Sequence, residues 1–310
     1  MPVILPAWAP QAPLQSLSFD WAAAAGVQLA VLRLDLLDPL ISGNKWFKLR
    51  HHLQAAAECK AAGVISLGGV HSNHLHALAA AGKRFGFKTV GLLRGDEQDT
   101  PTVRDLRELG MQVHWLGYGG YRQRHAPGFW APWLKRYPQF YPVPEGGAGE
   151  QGMEGCAQIV TMIRQQLPLL GWDDYDACWL AAGTGTTAAG MLLAEELGRT
   201  VHVAAAVPPG HGVEACLKAV ADQARAGYVL HDASCGGFAK TSQALLDFML
   251  AAEVESGVPL ESVYTAKALM ALRHCVLGDY LAAGSRLVFV HTGGLQGRAA
   301  ALSAVAKIAK

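Results

Sequence analysis

Ser42-Gly43-Asn44-Lys45-Trp46-Phe47-Lys48-Leu49 comes after an apolar run and opens on a glycine turn. The turn delivers two lysines that stand at i and i+3, so both share one face of a helix starting there. An arbitrary pair of lysines would be solvated surface groups, because lysine is rarely buried. The downstream sequence gives this pair another meaning. It supplies glycine turns, hydroxyls and an amide, each between an apolar strand and a helix.

Working outward, residues 27–34 form a strand before the turn, and a helix runs from the lysines to about residue 62, where Gly63 ends it. Strands over 64–67, 88–93 and 112–116 then alternate with helices over 72–84 and 102–109. That rhythm predicts a parallel sheet with right-handed crossovers. Glycines and prolines crowd residues 117–149, around a basic aromatic helix near 130–137, and mark a boundary between two α/β units. A long helix starts near residue 153. The second unit repeats the pattern, with strands over 177–182, 201–207 and 286–291. Its helices lie over 188–197, 214–226, 242–256 and 265–283, and a last one closes the chain. Residues 1–25, with prolines at 2, 6, 10 and 13, read as an irregular lead-in.

Composition sets limits on partners. The chain has 310 residues, 51% hydrophobic and 16% charged, which suits a compact enzyme of one large or two moderate domains. A net charge of +1 gives no electrostatic reason to expect nucleic acid or an anionic membrane. There is no apolar run of about 18 residues for a membrane span, and no basic segment leading into an apolar signal sequence. The six cysteines are scattered without CxxC spacing, as in a reduced, cytoplasmic chain.

Three stretches carry chemistry. In Gly183-Thr184-Gly185-Thr186-Thr187 the glycines let successive N–H groups converge, and the hydroxyls and the helix N-terminus add donors. This predicts a cup for a single phosphate; it lacks both the Gly-Lys-Ser/Thr ending and the GxGxxG pattern. Gly68-Gly69-Val70-His71-Ser72-Asn73-His74 is a polar wall for a carboxylate or a cofactor oxygen. His71, His74 and His76 do not share one helical face, so no metal site is expected. Tyr264-Thr265-Ala266-Lys267 opens a helix, and His291-Thr292-Gly293-Gly294 ends the last strand, where open α/β sheets place ligands. An amine, an anion cup and polar groups around a ring are what a phosphorylated aldehyde cofactor needs, and pyridoxal 5'-phosphate fits that description.

In this order, Gly43-Asn44-Lys45, Gly68-Gly69 to Ser72-Asn73-His74, Thr184-Gly185-Thr186-Thr187 and Val263-Tyr264-Thr265 with Lys267 resemble one family from about residue 26 onward. It is the 1-aminocyclopropane-1-carboxylate deaminase and D-cysteine desulfhydrase family, pyridoxal-phosphate enzymes with the tryptophan-synthase β-subunit fold (fold type II). The resemblance implies a larger cofactor-binding domain, 1–48 plus 150–310, and a smaller inserted α/β domain, 49–149, with the active site between them. It also implies a homodimer and a small amino-acid substrate.

By the same resemblance Lys45 would carry the cofactor as a Schiff base, leaving Lys48 a structural or surface role. Asn73 would bond the cofactor's phenolic oxygen. Ser72 would face the substrate beside His74, and Thr184, Gly185, Thr186 and Thr187 would hold the phosphate. Tyr264 would lie against ring or substrate, with Thr265 close to the ring nitrogen. Two departures bear on the reaction. Thr265 stands where the ring-opening enzymes have Glu, and Phe238 aligns with their second tyrosine. Both favour α,β-elimination from a small D-amino acid, D-cysteine being the type case. Cyclopropane ring opening, a D-serine-type dehydratase and a non-catalytic cofactor-binding protein remain alternatives.

Overall fold

The computed structural model describes residues 2–5 and 7–298. Its strands are β1 (Leu14–Leu17), β2 (Gln28–Arg33), β3 (Gly63–Gly68), β4 (Lys88–Leu93), β5 (Gln112–Trp115), β6 (Phe140–Pro142), β7 (Ala177–Ala182), β8 (Thr200–Ala205), β9 (Gly227–Asp232) and β10 (Arg286–His291). They form two sheets. One has the order β1-β2-β10-β7-β8-β9 and the other β5-β4-β3-β6. Every pairing is parallel except β1 with β2. This is the α/β class that alternating strands and helices imply.

By internal contacts the chain divides into two compact units. The smaller comprises Met1–Pro10, Pro39–Ile41 and Lys45–Gly155; the larger comprises Gln11–Asp38, Ser42–Asn44 and Cys156–Lys310. The start of the chain, expected in the larger domain, lies in the smaller one. Trp8 packs edge-on against Trp46, and the Val3 N–H donates to the Ala61 carbonyl.

In the larger unit the apolar faces of β2, β7 and β10 meet the helices Gln243–Ser256 and Thr265–Leu277. Trp179, Phe289, Met249 and Leu272 lie at the centre of that core. In the smaller unit Ile65, Leu67, Val90 and Leu92 pack with Tyr121, and Phe129, Trp130 and Trp133 close the cluster. Those aromatics come from the Pro/Gly-rich stretch, which is therefore built structure. It holds the helix Ala131–Arg136 and β6.

Fully buried strands match the expected ones to within a residue or two. Of the edge strands, β5 matches and the others do not. β1 and β9 lie at the margins of their sheet with exposed residues mixed among buried or half-buried ones, β6 is the margin of the other sheet, and none of the three was expected. The helix expected over 214–226 ends at Ala221, which frees the residues of β9. The closing helix lies outside the described residues. None of the six cysteines forms a disulfide. Among the described residues no helix is long and apolar enough to cross a membrane.

Candidate active site

In the larger unit the turn before the lysines is held from below. The Gly43 N–H donates to the Leu34 carbonyl and the Asn44 N–H to the Thr292 carbonyl. Gly43 has φ +75°, and a Cβ there would stand 2.2 Å from the Thr292 oxygen, so only glycine fits. Asn44 is buried, and its Nδ2 donates to Thr187 Oγ1 at 2.9 Å. The residue immediately before Lys45 is thus tied to the Gly/Thr turn.

That turn follows β7 and opens the helix Thr186–Ala194. Gly185, at φ +81°, leaves the first amides of the helix uncapped by any side chain. A Cβ on Gly185 would lie 2.9 Å from Cys216 Cβ. Thr184 and Thr186 hydroxyls stand 3.1 Å apart. Because Thr187 Oγ1 accepts from Asn44, its own proton remains for an anion. Donors from Thr184 to Thr187 therefore surround one helix N-terminus.

Tyr264 lies at the same turn: a Cβ on Gly183 would meet its ring at 3.1 Å. Tyr264 and Thr265 are fixed by a residue that no motif pointed to. Glu261 is buried, its Oε1 accepts the Tyr264 and Thr265 N–H groups at 2.8 and 2.6 Å, and its Oε2 accepts the Val263 N–H at 2.8 Å. Burial pushes the Glu261 carboxyl upward, and these hydrogen bonds pull against it. The Thr265 hydroxyl accepts the Glu261 N–H and donates back to Glu261, so it is occupied within this cap, and the residue is fully buried. An acid four residues ahead of a helix start is the only sequence signal for Glu261.

Behind β10, Arg33 forks onto Asp35 at 2.9 and 2.7 Å. His291 Nδ1 stands 3.2 Å from Asp35, and its Nε2 donates to the Pro259 carbonyl. Burial pushes the His291 imidazole downward, and Asp35 offsets part of that. His291 stood in a stretch the sequence marked, but its pairing with Asp35 joins distant parts of the chain, and no motif marked Arg33 or Asp35.

In the smaller unit Lys45 is the first residue of the helix Lys45–Glu58 and is half-buried. Lys48, expected to be structural or on the surface, is 4% exposed, which removes the surface role. Its Cβ lies 2.9 Å from where a Cβ on Gly147 would be, so the glycine there makes room for it.

Ser72 caps the helix Asn73–Phe85 by accepting the Leu75 N–H at 3.2 Å, and Ser72 and Asn73 are both half-buried. Gly68 lets β3 end against this cap: a Cβ on it would collide with Ser72 Oγ at 2.4 Å. The His74 ring is buried. Ser66 Oγ donates to the Val143 carbonyl, so it must accept from His74 Nε2, 2.8 Å away. That fixes the tautomer and leaves Nδ1 a bare acceptor without a hydrogen-bond partner. Burial, then the nearby Lys45 and Lys48 charges, push the His74 imidazole well below its usual range. His71 is exposed, and His76 stands 3.7 Å from Asp105.

The smaller unit thus presents a half-buried lysine and a serine–asparagine helix cap, and the larger unit a Gly/Thr turn with an aromatic ring beside it. The chain is similar to proteins with related names. A Pyrococcus furiosus protein provisionally named 1-aminocyclopropane-1-carboxylate deaminase is 28% identical over 88% of this chain and 86% of its own. The Arabidopsis thaliana bifunctional D-cysteine desulfhydrase/1-aminocyclopropane-1-carboxylate deaminase is 27% identical over 88% of this chain and 73% of its own. A crystal structure described as an ACC deaminase homologue superposes with a TM-score of 0.82 at 25% identity, covering 98% of this chain and 95% of that one. The family profile described as pyridoxal-phosphate dependent enzyme matches residues 9–293, and the chain belongs to that family.

Proposed function

We propose that this chain is a lyase that removes the β-substituent and the amine from a small D-amino acid, with D-cysteine giving pyruvate, ammonia and sulfide. The residues fit the family's cofactor. Gly185 turns at positive φ tight against Cys216 and leaves the helix amides uncapped, and those amides with the threonine hydroxyls form a cradle that suits a phosphate. Asn44, the residue before Lys45, donates to Thr187 in that cradle. In this reading Thr184 to Thr187 hold the phosphate, Asn73 bonds the ring oxygen, and Tyr264 covers the ring.

Bound there, the cofactor supplies an electron sink for charge developing at the substrate Cα. Lys45 Nζ would hold the cofactor and, once free, would take the substrate Cα proton. Ser72 and Asn73 orient the substrate carboxylate at the helix N-terminus, with the His74 backbone beside them. The C–S bond breaks with its electron pair on sulfur, and water completes the release of ammonia and pyruvate.

The observation that carries elimination over ring opening is the Thr265 cap. At the helix start this chain presents a hydroxyl already bonded to Glu261, where the ring-opening branch would present a carboxylate. A thiolate is a good leaving group and needs less from the ring. Ring opening is the second reading, favoured by the name of the Pyrococcus furiosus relative, whereas the Arabidopsis relative is named for both activities. Assays of ammonia and keto-acid release from D-cysteine, L-cysteine, D-serine and the cyclopropane amino acid separate the two. Pyruvate from D-cysteine is expected, and 2-oxobutanoate from the cyclopropane substrate alone would reverse the choice. The reading extends to a cytoplasmic homodimer, which light scattering of the purified enzyme tests.

A further inference from the structure

Lys267 is fully buried, and its ammonium is spent on the main chain of a loop. Nζ donates to the Ser234 carbonyl at 2.7 Å and to the Gly237 carbonyl at 3.0 Å. Between and beyond those two oxygens the backbone takes conformations that L residues avoid. Cys235 has φ +49°, Gly236 +84°, Gly237 +148° and Ala239 +56°. A loop of that shape needs outside support. It carries Phe238, half-exposed, whose ring centroid stands 6.1 Å from that of Tyr264. Tyr264 in turn lies over Gly183, the first residue of the cup. A path of contacts therefore runs from the lysine through two carbonyls to Phe238 and on to Tyr264, all within the larger unit.

We propose that Lys267 is a positioning residue: by holding the Ser234 and Gly237 carbonyls it seats Phe238 on Tyr264, and so sets how the substrate is held above the cofactor. The lysine touches no reacting atom. Burying an ammonium is costly unless it is hydrogen-bonded, and two carbonyls with Glu261 nearby meet that need. The inference rests on the lyase reading for the identity of the substrate.

The test compares Lys267→Met, Phe238→Ala and the double variant. In K267M the KM for D-cysteine should rise about tenfold, with kcat changed less than about threefold and the cofactor's visible band retained. F238A should give a similar rise, and K267M should add less than about twofold to it, because both act through one contact. Independently of any substrate, trypsin should cut after the exposed Lys240 several-fold faster in K267M. An unchanged KM in either single variant, multiplying effects in the double, or an unchanged cutting rate overturns the proposal. K267Q and K267R are run beside K267M. If all three fail to fold or to hold the cofactor, the lysine is structural and the proposal also fails. Wild-type enzyme that turns over no D-amino acid would sink the lyase reading instead, and the cutting rate would still report on the clamp.

Discussion

Lys45 and Gly43 divide the work at the opening turn: one offers an amine, the other lets the backbone come close enough to aim it. Lys45→Ala is expected to abolish the visible band of the purified enzyme and to lower kcat/KM at least about 1000-fold. An unchanged band would remove Lys45 from its assigned role. Gly43→Ala must move the Thr292 carbonyl and hold alanine at positive φ. A loss of about 2 kcal/mol or more in urea unfolding is expected, with weaker cofactor binding. Spacing alone left Lys45 and Lys48 equivalent, and family resemblance separated them. The bond from Asn44 to Thr187 could not be foreseen. The two residues meet only because β7 and the Gly43 turn come together in the fold.

A helix start shows what pattern reading can and cannot find. Hydrophobic period placed the helix beginning at Thr265, but Glu261 lies outside that period and acts by accepting main-chain N–H groups. Glu261→Gln keeps the shape and loses the charge, turning one acceptor toward amides into a donor. It should cost about 1–3 kcal/mol in urea unfolding. A variant as stable as wild type would mean that the cap is not held by charge. Buried strands such as β7 and β10 were legible because both faces are apolar. Edge strands β1 and β9 hide their signal because half of each is wet.

Across the whole molecule several histidines are buried in the neutral form. His74 and His291 both sit below their usual range, burial being the first cause in each. The unfolded chain therefore binds protons first as pH falls below about 6.5, so stability drops from there toward the folded-state values. The urea midpoint should fall between pH 7 and pH 5. His74→Gln should flatten that fall by up to about 1.4 kcal/mol per pH unit; an unchanged slope would show that His74 is charged in the folded state.

Fold class, cofactor and the position of the Gly/Thr turn at a helix start were all legible, because each rests on short local patterns. The buried Asp35–His291 pair was not, since it joins residues from opposite ends of the chain.

β10, which follows the other described strands in the chain, lies in the middle of its sheet between β2 and β7. Its end supplies the Thr292 carbonyl that receives the turn before Lys45. Synthesis on the ribosome therefore leaves the turn before Lys45 without its seat until β10 and Thr292 have emerged. Chains stopped before residue 286 should not take up cofactor however long they are given, because the Thr292 carbonyl that seats the turn is missing from them.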